Sequence, residues 1–231
     1  MMTVNQDLSI ERRPVGEQVT DHIRRMILSG DIRPGTRLVG KHLAEQIGIS
    51  RTPVREALHR LAQENLVIRR EAGGYEVRPL SAAEVEEVIG VRAALESYAM
   101  ELAAARITPA DLKALERNVD EYEVALSQGR YGRLVELNTS FHEALYRAAG
   151  SRVLRAQINE LAEVLHRFRL TLLGDPGSAA RSLKDHRLMI EALGRRDATL
   201  ASRICREHVL AGGAWILARL AEEAGEDMDN E

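Results

Sequence analysis

The hydrophobic period of this chain changes twice, and those two changes restrict the fold more than any single motif. Up to about residue 65 the apolar residues recur at helical spacing. Val19, Ile23, Met26 and Ile27 form one stripe within residues 15–29. A short helix is predicted over about 40–47 and a longer one over about 52–65. Leu66–Arg70 and Tyr75–Arg78 then read as β-type segments joined by Glu71-Ala72-Gly73-Gly74, the composition of a hairpin. Pro79 ends regular pairing. From Ser81 onward the pattern is helical again.

Six helices with short connections are expected after that point, the mark of an antiparallel bundle. Ser81-Ala82-Ala83-Glu84 is a capping box for a helix reaching about Arg106, and Thr108-Pro109 opens the next. Breaks fall at Gly129/Gly132, Gly150, Gly174–Gly177 and Gly194. One helix is expected over roughly 152–173, and the last two over about 178–193 and 197–223. The acidic tail beyond, 225–231, is expected to fray.

Charge divides along the same line. Residues 1–80 hold 13 Lys and Arg against 10 Asp and Glu, whereas residues 81–231 hold 19 against 25. A net charge of −3 would argue against a nucleic-acid partner, but the basic front third reverses that. No apolar run reaches the ~20 residues of a membrane span, and the N-terminus lacks the apolar core of a signal peptide. Cys205 is the single cysteine, so no internal disulfide forms and a cytoplasmic setting is expected.

Residues 40–59 carry helix-turn-helix chemistry. Ala44 is small where two helices cross, Gly48 suits a turn at positive φ, and Val54 and Leu58 give the second helix a buried face. Thr52 is placed to cap that helix, with Pro53 at its first position. Arg51 and Arg55 lie at the end that enters a major groove, where an arginine can donate two hydrogen bonds to guanine. The hairpin that follows at once makes the unit a winged helix-turn-helix.

The run Ser50-Arg51-Thr52-Pro53-Val54-Arg55-Glu56-Ala57-Leu58, with Arg60-Leu61, Glu64 and Gly74-x-x-Val77, resembles the GntR family of regulators, as does Ile32-x-Pro34-Gly35-x-x-Leu38 upstream. The resemblance implies a homodimer on a short pseudo-palindromic double-stranded operator, with DNA contacts from Lys41, Arg51, Thr52, Arg55, Gly73 and Gly74. Gly40 departs from it, standing where a glutamate usually opens the second helix.

Three of the seven histidines, His142, His186 and His208, occupy apolar helical faces. Singly, each fits a hydrogen-bonded core position. Together, on three helices, they are candidates to converge on one divalent cation, with Asn138 as an oxygen ligand four residues before His142. Residues 81–212 resemble the FCD effector domain of the FadR subfamily through Asn138-x-x-Phe141-His142, His186-x3-Ile190-x-Ala192-Leu193-x3-Asp197 and His208. That resemblance makes Asn138, His142, His186 and His208 the metal positions. Three imidazoles suit zinc or nickel, then manganese or iron; Asn138 in place of Asp predicts weaker binding.

Arg92, in Arg92-Ala93-Ala94-Leu95-Glu96, matches the same family. Two readings stand: a clamp on a carboxylate effector, or a salt bridge to Glu96.

The expectation is therefore a mainly α chain. It comprises a winged helix-turn-helix with a small β-hairpin wing (10–79), a six-helix effector domain (80–224) and an acidic tail (225–231). Its function is read as a DNA-binding transcription regulator, a repressor whose effector is a small organic acid. An enzyme is not expected, because no glutamate stands beside these histidines in a His-Glu-x-x-His arrangement. A regulator answering to metal alone is the other reading.

Overall fold

The computed structural model describes residues 14–64 and 66–229. The predicted start of the first domain (residues 10–13), Asn65 and the last two residues of the tail lie outside them. Contacts divide the chain at Pro79/Leu80 into two compact units.

The first unit opens with helix α1 (Val15–Ser29), which Gly30 stops in a left-handed conformation. Strand β1 (Arg37–Leu38) precedes α2 (Gly40–Ile47) and α3 (Arg51–Gln63). Gly48 joins the two helices at φ 75°, and its N–H donates to the Ala44 carbonyl at 3.0 Å. Only glycine holds that conformation without steric cost. Ala44, Val54, Leu58 and Leu61 pack with Val19, Ile23 and Ile27 of α1 into one core. Arg24 of α1 places two N–H groups on the Glu64 carboxylate, at 3.0 and 2.7 Å.

Strands β2 (Val67–Arg69) and β3 (Tyr75–Val77) form the expected hairpin, and β1 adds to it antiparallel in the order β1-β3-β2. Register pairs Arg69 with Tyr75 and Leu38 with Tyr75's other edge. A two-residue strand such as β1 is too short to show a period of two in sequence.

One local detail differs from expectation. The N-cap of α3 is Ser50, not Thr52, and its side chain makes no capping bond. Pro53 is then the third helical residue, where its missing N–H still has no intrahelical partner to lose. Helix α2 begins at Gly40 with Val39 as its cap, a side chain with no acceptor to offer.

The second unit comprises α4 (Ala82–Arg106), α5 (Pro109–Ser127), α6 (Tyr131–Ala148), α7 (Arg152–Val164), α8 (His166–Gly174), α9 (Pro176–Gly194) and α10 (Ala198–Asp229). Capping boxes open α4, between Ser81 and Glu84, and α5, between Thr108 and Asp111. Helix α4 lies along α10, and α5 packs between α6 and α9. The main core includes Met100, Tyr122, Phe141, Leu145, Ile158 and Met189.

The single helix expected over 152–173 is two. Leu165 takes φ −100° and ψ 5°, and its buried side chain joins Phe168 in a second cluster with Val85, Ile89 and Ile216. Neither Gly nor Pro marks the break. At the other end α10 continues to Asp229, so the predicted acidic tail is helical that far. Its Ala- and Glu-rich composition favours helix.

Candidate functional site

Two surfaces concentrate polar chemistry, one in each unit. In the first, Lys41, Arg51, Thr52 and Arg55 are all exposed at the N-terminal ends of α2 and α3. A groove of about 880 Å³ runs between α3 and the hairpin. It is lined by Arg55, His59, Arg60, Arg69, Arg70 and the tip glycines Gly73 and Gly74. Both glycines sit at positive φ, 85° and 84°, and a Cβ on Gly74 would stand 3.1 Å from the Leu38 carbonyl oxygen. Arg37 braces the tip by donating to the Gly73 carbonyl at 3.1 Å. Sequence reasoning singled out Arg55 and missed Arg60, Arg69 and Arg70. Arg70 is partly engaged by Glu76 at 3.1 Å.

The second surface is a cavity of about 170 Å³ inside the helical unit. Helices α4, α6, α8 and α10 bring Arg92, Asn138, His142, Arg169 and His208 to its wall. His142, His186 and His208 each offer a ring nitrogen, and these atoms lie within 4.8 Å of one another. The three predicted histidines therefore do converge, from α6, α9 and α10.

Their surroundings distinguish them from satisfied core histidines. His186 is fully buried, stacked on Phe141 with ring centroids 3.9 Å apart. Both of its ring nitrogens, and Nδ1 of His142, are buried without a hydrogen-bond partner. A buried polar atom left without a hydrogen bond costs free energy, so the open nitrogens of these neighbouring histidines mark a place for a further group. Burial, reinforced by neighbouring cationic or imidazole groups, holds the pKa of His142 and His186 well below the ordinary histidine value. Neutral imidazoles are the form that ligates metal. His208 is held by Asp185, whose carboxylate stands 3.1 Å from Nδ1, so Nε2 is the nitrogen that this contact leaves open. The donor set thus fits a divalent cation of the zinc or nickel type.

Of the two arrangements open to Arg92 in sequence, the ion pair with Glu96 is the one present, at 2.6 Å. Arg92 also lines the cavity. Glu96 is wholly buried, and its second oxygen accepts from the Tyr146 hydroxyl at 2.8 Å. Burial first, and then the Glu96 charge, push the Tyr146 hydroxyl pKa up. Cys205 is buried and packs in the core, as a small apolar residue does. Asp185, Tyr146 and Arg169 were not legible in sequence, because each acquires its role from a residue on another helix.

A winged helix-turn-helix with an exposed basic reading end, followed by an all-helical unit, defines a DNA-binding transcription regulator. Residues 15–77 match the bacterial regulatory proteins of the gntR family, and residues 87–211 match the FCD domain. The chain belongs to the GntR family. It is 30% identical to the transcriptional repressor RspR of Escherichia coli K12, over 90% of this chain and 91% of that protein. It is also 30% identical to the gluconate operon transcriptional repressor of Bacillus subtilis, over 83% and 80% respectively. Among solved structures it resembles E. coli McbR/YncC, with a TM-score of 0.71, 27% identity and coverage of 90% and 99%. These relatives are transcription regulators rather than enzymes. No helix among the described residues is long and apolar enough to cross a membrane.

Proposed function

We propose that the protein is a cytoplasmic homodimeric repressor whose grip on a pseudo-palindromic operator is altered by a small organic acid bound in the helical cavity. Lys41, Arg51, Thr52, Arg55 and the wing tip at Gly73 and Gly74 contact the DNA. Asn138, His142, His186 and His208 would hold a divalent metal, zinc or nickel before manganese or iron. When bound, that ion supplies positive charge to the carboxylate of the acid, and Arg92 supplies the hydrogen-bonding fork.

The observation that carries this reading is His186, fully buried with both ring nitrogens unpaired, beside a cavity that also receives a guanidinium. A space of about 170 Å³ is more than a lone ion needs and less than the ~300–1,000 Å³ of a drug-sized site. That favours a small metabolite over regulation by metal alone. Ligand binding must favour one DNA-binding state over another to act as a switch.

The test is retention of sheared genomic DNA at moderate salt on the metal-free protein and on the zinc-loaded protein. Enrichment of a short inverted repeat, released by an added acid, is the expected result. Uniform, salt-sensitive retention would mean attraction to phosphate alone and would sink the operator reading. Release by zinc alone, with no acid, would convert the protein into a metal sensor.

A further inference from the structure

Three guanidinium groups line the cavity, those of Arg92, Arg169 and the solvent-exposed Arg181, and of the two that are partly buried only Arg92 is paired with a carboxylate. Arg92 has the buried carboxylate of Glu96 at 2.6 Å. Arg169, from α8, makes one hydrogen bond to a neutral group, from a terminal nitrogen to Thr139 Oγ1 at 3.1 Å. Among the described residues no carboxylate stands within ion-pair distance of it. A guanidinium carries five N–H donors in a planar fork that matches a carboxylate, so most of its capacity is unspent.

The other charges around the cavity do not fill that need. Glu143 accepts from the Asn159 amide and Glu163 is exposed to solvent, as is Arg181. Asn138, beside the histidines, is neutral and adds no negative charge. Burial, and then the positive charge of Arg92, depress the pKa of Arg169 against the weaker opposing pull of Tyr146, Glu163 and Glu96. Charged side chains removed from water are ordinarily paired. Here the partner is absent from the chain itself.

We propose that the cavity is built for a short acid with two carboxylates, one at the Arg92 and histidine end and the other on Arg169. This rests on the reading of the cavity as an acid-binding site and narrows it to a dicarboxylate. Arg169 is then the specificity residue. It would distinguish a dicarboxylic acid from a monocarboxylic acid of the same length, while Arg92 serves both.

The experiment is calorimetric titration of the zinc-loaded full chain with succinate and glutarate, against butyrate, valerate and the monoamides succinamate and glutaramate. One added charge-assisted pair should favour the dicarboxylates by about 10- to 100-fold. Arg169→Gln should lower dicarboxylate affinity to the monocarboxylate level and leave monocarboxylate binding unchanged. Equal binding of monoamide and dicarboxylate to the wild type would overturn the proposal while leaving the acid site intact. So would an Arg169→Gln variant that weakens every acid alike. If Arg169→Gln does not fold, the monoamide comparison on the wild type decides alone. Should no acid bind the loaded chain, the acid-site reading itself fails.

Discussion

Arg92 and Glu96, one helical turn apart on α4, form an ion pair in which the carboxylate is wholly buried and the guanidinium reaches a cavity. Two nitrogens of Arg92 meet one oxygen of Glu96, at 2.9 and 2.6 Å. The pair does two things at once. It compensates a buried carboxylate, and it fixes the guanidinium in the wall of the cavity rather than leaving it to swing.

Glu96→Ala should therefore destabilise the protein strongly, because it leaves Arg92 and Tyr146 without their shared acceptor. Removing one member of a buried pair typically costs about 3–5 kcal/mol. Replacing both members by apolar residues, as in Arg92→Met with Glu96→Leu, should cost less than Glu96→Ala alone. Urea unfolding of the three variants measures this. A loss under about 1 kcal/mol for Glu96→Ala would show that water already serves these groups.

Asp185 stands to His208 as Glu96 stands to Arg92, an anion that orients a functional side chain through one contact at 3.1 Å. Outer-shell carboxylates of this kind are worth about 10–100-fold in metal affinity. Asp185→Asn should weaken zinc binding by that factor with little change in the melting temperature of the metal-free protein. Asn138→Asp, which adds a negative charge at the cavity wall, should strengthen it. Competition with a chromogenic chelator gives both values, and an unchanged affinity in Asp185→Asn would assign Asp185 a purely structural role.

On the DNA-binding unit, Arg55 and Lys41 are both exposed, and their effects should nevertheless differ in kind. Arg55→Ala should cost about 1–3 kcal/mol on the operator and relax the preference at one base pair, as expected for a base contact. Lys41→Ala should weaken operator and scrambled DNA alike and reduce the salt slope by about 1, as expected for a phosphate contact. Fluorescence anisotropy over a salt series separates the two patterns. Identical behaviour of the two variants would refute the assigned division of labour.

What sequence reveals here follows from range. The turn at Gly48, the capping box at Ser81 and the helix start at Thr108-Pro109 depend on residues within four positions of one another, and all were legible. The convergence of His142, His186 and His208 was legible because each lies on an apolar stripe, which in a bundle points inward. The break at Leu165 was not. No Gly or Pro marks it, and it arises because Leu165 and Phe168 are drawn into the cluster with Ile89 and Ile216. Arg169 depends on that break for its direction, so its place in the cavity wall was hidden as well. Asp185 adjoins a predicted ligand in sequence, yet its partner is His208 on the next helix.

Gly212 and Gly213 are neighbours on α10 that should respond to alanine in opposite directions. A Cβ on Gly212 would meet only Leu172 Cδ2, at 3.7 Å, an ordinary contact. A Cβ on Gly213 would stand 2.5, 2.6 and 2.9 Å from three carbons of Ile89. Ile89 is branched at Cβ, buried and held among Val85, Leu165, Phe168 and Ile216, so it cannot swing clear as a long flexible side chain can. Gly212→Ala should raise stability by about 0.4–1 kcal/mol, since alanine restricts the unfolded chain and favours helix. Gly213→Ala should lower it by about 1–3 kcal/mol through overpacking between α4 and α10. Trimming Ile89 to alanine in the Gly213→Ala background should recover part of the loss, giving a coupling of at least about 0.5 kcal/mol in a double-mutant cycle. Both glycines also line the cavity, so ligand titration of the stable Gly212→Ala protein reads out whether added bulk at the wall reduces the space for an acid. If Gly213→Ala proves as stable as the wild type, the close approach of α10 to Ile89 is not a constraint on the packing of this unit.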